Sequence, residues 1–162
     1  MTTRKITLMA LFVAIGTLTA HLVSFPVGAS RVFPVQHALN VIGAVLLGPW
    51  EAALVAFLVA VLRNLLGTGT IFAFPGGIIG ALLAGYLYRL TGRDLWAPLG
   101  EVTGTGLIGG LLSFPIAKFV LGKAVAAFFF VPPFTLSSLA GAITGYLVLQ
   151  AIPKTYRDKA TP

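Results

Sequence analysis

The sequence predicts an all-α membrane protein with six transmembrane helices in one bundle and both termini in the cytoplasm. Three observations carry this. The chain of 162 residues is 57% hydrophobic and only 9% charged, and its mean hydropathy is +0.98, far from the roughly 25% charged residues of a soluble domain. Residues 6–30, 64–88 and 124–153 carry no formal charge, and each interval can hold the roughly 20 apolar residues that cross a ~30 Å hydrocarbon layer as a helix. The basic residues, finally, fall into two unequal sets along the chain.

Apolar runs read against Gly and Pro punctuation place helices at about 6–25, 35–47, 51–66, 72–90, 98–121 and 134–152. Met1–Ser30 has some look of a cleaved signal peptide, with Arg4 and Lys5 ahead of an apolar stretch. Its apolar run exceeds the ~7–15 residues of an h-region, so the first helix is expected to stay. The second and third helices are short and joined by Gly48-Pro49-Trp50, and Thr91-Gly92-Arg93-Asp94 joins the fourth and fifth. Connections this tight leave one domain, residues 1–162.

With a cytoplasmic N-terminus, Arg4, Lys5, Arg89, Arg93, Lys154, Arg157 and Lys159 lie inside, and Arg31, Lys118 and Lys123 outside. The positive-inside rule then requires an even number of spans. Trp50, Trp96, Tyr86, Tyr88 and Tyr146 fall towards the cytoplasmic ends, where an aromatic belt would sit. The formal charge of +7 thus reports topology, and no nucleic-acid partner is expected.

Polar groups stand out against this background. Arg63 lies about 13 residues from Trp50, or ~20 Å along the third helix, which is the outer third of the bilayer. The second helix enters from the same side with Gln36, His37 and Asn40, spaced to share a face. Side chains of this kind are costly at membrane depth unless they face protein or a water-filled cavity, so they mark a functional site. Gln36, His37, Asn40, Arg63, Asn64 and Thr68 are the expected polar contacts of a small ligand. Phe129 and Phe130, in the run Phe128-Phe129-Phe130-Val131-Pro132-Pro133-Phe134 that leads to Ser137 and Ser138, are the expected stacking groups. Val27–Pro34 forms a loop on the same side. Glu101 is expected in the first turn of the fifth helix, where the dipole favours a carboxylate; a proton-coupling role is the alternative.

Small residues four apart recur at Ala10/Ala14, Gly16/Ala20, Gly76/Gly80, Gly100/Gly104, Gly106/Gly110 and Gly141/Gly145, and such pairs let helices approach closely. Enzymatic chemistry and metal binding find no support. There is no cysteine, His21 and His37 are isolated from any metal-ligand spacing, and no nucleophile triad is evident. Gly104-Thr105-Gly106-Leu107-Ile108-Gly109 matches a dinucleotide fingerprint on paper but lies inside a span with no strand before it.

Together with the Phe128 stretch, Val32-Phe33-Pro34-Val35-Gln36-His37, Leu47-Gly48-Pro49-Trp50, Leu62-Arg63-Asn64-Leu65-Leu66-Gly67-Thr68-Gly69-Thr70, Phe74-Pro75-Gly76 and Gly100-Glu101-Val102-Thr103-Gly104-Thr105-Gly106 carry a family likeness over nearly the whole chain. The chain resembles the substrate-binding (S) components of energy-coupling factor (ECF) vitamin transporters, and most closely the ThiW family, the thiazole-precursor component. This resemblance implies a multi-pass subunit of a prokaryotic cell membrane that captures its cargo from outside beneath the first loop. It also implies docking through Ala10 and Ala14 on a transmembrane coupling protein that carries two ATPases, so that ATP is used by the partners and no cofactor is bound here. The implied cargo is hydroxyethylthiazole, the thiazole half of thiamin, or another vitamin precursor. A stand-alone proton-coupled carrier is the alternative from a different class.

Overall fold

The computed structural model describes residues 2–27 and 30–157, without the side chains of His21, Val27, Ser30, Arg31 and Tyr156. Lys159 and part of the first loop therefore lie outside the described residues. The fold is mostly helical. Helix α1 spans Thr3–Leu22, α2 Pro34–Leu46, α3 Pro49–Leu65, α4 Ala73–Thr91, α5 Trp96–Val120, α6 Val131–Ala151 and α7 Lys154–Arg157. Between α1 and α2 an antiparallel hairpin pairs β1, Phe25–Val27, with β2, Ser30–Val32, in the register Phe25↔Val32; the sequence reading carried the first helix on to Phe25 and held a loop from Val27 to Pro34, because apolar composition does not separate the end of a helix from a short strand.

Four helices, α1, α4, α5 and α6, are long and apolar enough to cross a membrane. The other two expected spans are shorter: α2 has 13 residues and α3 has 17, so α2 covers only about 20 Å at 1.5 Å per residue.

Proline and glycine set the boundaries. Pro34 and Pro49 occupy the first helical positions of α2 and α3, where a missing N–H costs nothing. Gly92, at φ +64°, ends α4 in the left-handed conformation, the usual glycine C-cap. Helix α5 widens to π geometry over Val102–Gly109 and again over Ile116–Val120. The first wide stretch holds three glycines, and the second follows Pro115, which cannot supply the N–H of a regular turn.

Helix α2 is the centre of the fold. Ten of its 13 residues are buried, among α1, α3, α4 and α6. Glycine lets its neighbours close in. A Cβ on Gly145 of α6 would stand 2.8 Å from the Ala38 carbonyl oxygen, and one on Gly104 of α5 would stand 2.7 Å from the Gly80 Cα of α4. Most small-residue pairs thus serve packing within the chain. Met9, Phe12 and Gly16 turn α1 towards the core, whereas Ala10 and Ala14 lie on its exposed side.

Of the residues expected in an aromatic belt, Trp50, Tyr86 and Trp96 are exposed and Tyr88 is buried in the core. At the same end, Lys5 of α1 pairs with Glu51 of α3 at 2.9 Å, and Arg157 of α7 pairs with Asp94, between α4 and α5, at 2.5 Å.

Candidate ligand-binding site

The hairpin, the N-terminal turn of α2, the turn after α3, the start of α4 and the approach to α6 line a partly open cavity of about 880 Å³. Its wall brings together Gln36, His37, Arg63, Thr68, Phe129 and Phe130, six of the residues singled out above. Asn40 and Asn64 do not reach it. The Asn40 amide donates to the Gly77 carbonyl at 3.2 Å and to Glu101, and the Asn64 amide donates to the carbonyls of Ala60 and Thr70 at 2.8 and 3.2 Å. Both hold the wall from behind.

Arg63 sits in the last turn of α3, only 2% exposed. One guanidinium nitrogen donates to the Gln36 side-chain carbonyl and the other to the Thr68 backbone carbonyl at 3.0 Å. The guanidinium carbon lies 4.0 Å from the centre of the Phe33 ring, a stacking geometry that suits a weakly hydrated cation. Among the described residues, Arg63 Nε is buried with no partner and no carboxylate pairs with this cation. The turn after α3 wraps around it. Thr68 and Gly69 N–H groups donate to the Arg63 carbonyl at 2.8 and 3.0 Å, and Gly67 takes φ +69°, which glycine adopts without a Cβ penalty.

A second polar cluster forms the deep side. Glu101 is fully buried. Its Oε1 lies 2.7 Å from His37 Nδ1, 2.9 Å from the Thr105 hydroxyl and 3.2 Å from the Asn40 amide. Thr105 Oγ1 is also 2.9 Å from the Gly76 carbonyl. Because α5 begins at Trp96, Glu101 falls in its second turn, and side-chain donors stabilise it where the expected first-turn dipole contact does not exist. Sequence spacing offered one clue: Glu101 and Thr105 stand four apart, on one face.

Aromatic rings close the other side. Phe130 is 8% exposed and packs at 4.6 Å from Phe72, 5.2 Å from Phe129 and 6.1 Å from Phe134, centroid to centroid. Phe129 is 46% exposed. Phe33 and Phe72 belong to the wall but were not among the expected contacts; each stands at a helix entry, where apolar composition alone gives no sign of a ligand. Ser137 accepts from the Phe33 N–H at 2.9 Å and so ties α6 to the mouth of α2.

The arrangement offers one apolar aromatic face opposite a few oriented donors and acceptors, the usual composition of a small-molecule site. Among the described residues, no group of three His, Asp or Glu side chains comes together as a metal site. The family model described as "Thiamine-precursor transporter protein (ThiW)" matches residues 6–155. No curated protein and no solved structure matches the chain. With apolar helices, a cavity of ligand size and a family match over most of its length, this membrane protein is a transporter for a small molecule and not an enzyme: the chain belongs to the ThiW family of thiamine-precursor transporters.

Proposed function

We propose that the protein is the substrate-binding subunit of an ECF-type importer, crossing the membrane six times with both termini in the cytoplasm. It captures hydroxyethylthiazole from outside and hands it to the cytoplasm together with a transmembrane coupling protein and two ATPases. The observation that carries this reading is the cavity of about 880 Å³ with an aromatic wall and a polar one, within the roughly 300–1,000 Å³ of small-molecule sites. A heteroaromatic ring would stack on Phe129 and Phe130, and its hydroxyl would be oriented by the groups around Gln36, His37 and Thr68. Arg63 holds the turn and the Gln36 amide in place.

Further observations support the arrangement in the membrane. The Lys5–Glu51 and Arg157–Asp94 pairs gather both chain ends and the α2–α3 and α4–α5 junctions at one side, as an even number of crossings requires. Ala10 and Ala14 are exposed, which leaves a flat strip of α1 for a membrane partner.

A second reading has one specific observation in its favour: the buried His37–Glu101 contact of 2.7 Å is the type of pair a proton-coupled carrier uses. Reconstituted vesicles separate the two. Vesicles holding this chain alone should not accumulate thiazole under a proton gradient, whereas vesicles that also hold the coupling protein and ATPases should do so with ATP. Strong gradient-driven accumulation by the chain alone overturns the subunit reading.

A further inference from the structure

Gln36 stands in the first turn of α2, is only 6% exposed and lines the cavity. Its neighbour decides which way the amide faces. The Arg63 guanidinium can only donate, and one of its nitrogens is hydrogen-bonded to Gln36 Oε1. Turning the amide over would set two donors against each other, so Nε2 is fixed as the opposite end. Arg63 is in turn held by the Thr68 backbone carbonyl at 3.0 Å and by the Phe33 ring at 4.0 Å, so the amide is oriented by a supported group.

Gln36 Nε2 has no hydrogen-bond partner among the described residues, and it is not one of the side-chain atoms sealed from solvent. It lies against Gly77 of α4, where a Cβ would stand 3.0 Å from it, and Gly76 and Gly77 both border the cavity. A donor this deeply placed, with its direction fixed and its partner missing, is completed by an acceptor that enters with the ligand.

Charge points the same way. Arg63 and Lys123 border the cavity, and among the described residues no carboxylate does; Glu101 lies behind the wall, its oxygens in contact with His37, Asn40 and Thr105. A cationic ligand would therefore meet like charges in the wall itself.

We propose that Gln36 Nε2 selects the cargo by donating a hydrogen bond to the unsubstituted nitrogen of a neutral heteroaromatic ring, with Arg63 as the positioning residue that fixes the amide. This rests on the reading of the cavity as the thiazole site and sharpens it: the free thiazole is accepted, and thiazolium rings are turned away, thiamin among them. A quaternary ring nitrogen has no lone pair to offer and brings a positive charge to a wall that already holds two. A ring without the acceptor leaves the amide N–H unpaired, a loss of roughly 10- to 100-fold in affinity.

The test uses the purified full-length chain and three probes: hydroxyethylthiazole, the thiophene in which a C–H replaces the ring nitrogen, and the N-methyl thiazolium. Calorimetry should rank the thiazole first, with the thiophene weaker by roughly 10- to 100-fold and the thiazolium weaker by at least as much. The thiophene separates the lost acceptor from the added charge. Nitrogen NMR of ring-labelled thiazole should place the bound ring nitrogen at its hydrogen-bonded shift and not at its shift in hydrocarbon. Gln36→Glu keeps an acceptor for Arg63 and removes the donor, so it should weaken thiazole binding about tenfold or more and narrow the gap to the thiazolium. Arg63→Met, which releases the amide, should shrink the thiazole-to-thiophene ratio. Equal binding of thiazole and thiophene by the wild type, a thiazolium that binds as tightly as the thiazole, or an unchanged ranking in Gln36→Glu overturns the proposal and leaves the thiazole site standing. Failure of both neutral rings to bind overturns the thiazole reading, and the proposal with it.

Discussion

Replacing Glu101 by alanine tests how much of the fold hangs on the deep polar cluster. The side chain is fully buried and within hydrogen-bond distance of His37, Asn40 and Thr105. Two of these have another acceptor to turn to: Asn40 the Gly77 carbonyl and Thr105 that of Gly76. His37 Nδ1 is left with none, which costs about 1–3 kcal/mol, and the void left by the carboxyethyl group adds to this. Release of a desolvated carboxylate offsets part of the loss. The net expectation is about 3 kcal/mol, or roughly 6–12 °C in Tm for a chain of this size. Glu101→Gln, which keeps the volume and one acceptor, should lose less than half as much. Thermal unfolding in detergent, followed through Trp96 on the same helix, reads both. If Glu101→Ala melts with the wild type, the cluster does not hold α2 and α5 together and the account of the deep wall is wrong.

Three other substitutions probe separate parts of the structure. Gly104→Leu places a Cβ 2.7 Å from the Gly80 Cα, so α4 and α5 must separate, and the loss of about 1–3 kcal/mol expected for overpacking should appear as a lower melting temperature; Gly122→Ala, whose Cβ meets nothing within 4 Å, is the comparison and should cost far less, limited to the strain of φ +63°. Arg63→Met removes the donors to Gln36 and to Thr68, so thiazole affinity should fall about tenfold or more and protease cleavage in the turn at residues 67–70 should rise; unchanged binding and cleavage would show that Arg63 does not order that turn. Ala10→Trp with Ala14→Trp should abolish co-purification with the coupling protein and leave calorimetric ligand binding intact, since both positions are exposed and outside the cavity wall.

Much of this was legible in the sequence, for reasons particular to each element. Helices α2 and α3 open on Pro34 and Pro49, and α4 ends at Gly92, signals that depend only on local backbone chemistry. Hydropathy nonetheless measures the apolar run and not the helix. Helix α1 was expected from about residue 6 but starts at Thr3, because the Thr2 hydroxyl accepts from the Lys5 N–H and the basic residues Arg4 and Lys5 continue the helix towards water. Helix α6 starts at Val131, ahead of the expected residue 134, since Pro132 and Pro133 fit the first turn, where no N–H is needed.

Depth along two antiparallel helices was enough to bring Gln36 to Arg63. Rotation about the helix axis was not legible. Asn40 shares a face with Gln36 by spacing, yet one turn further along α2 that face meets Gly77 and Glu101 and no longer borders the cavity. The partner of His37 was hidden for a different reason: Glu101 lies 64 residues away on a helix whose start was placed two residues late. The three-residue strands of the hairpin are too short to show a period.

Calorimetry of the purified chain against hydroxyethylthiazole, thiamin, biotin and pantothenate tests the central claim most directly. Tight, one-to-one binding of hydroxyethylthiazole, with the other three weak or silent, is the predicted result. Tight binding of biotin or pantothenate, both carboxylates, with none of thiazole would contradict it and would make Arg63 the counter-ion of an anionic cargo.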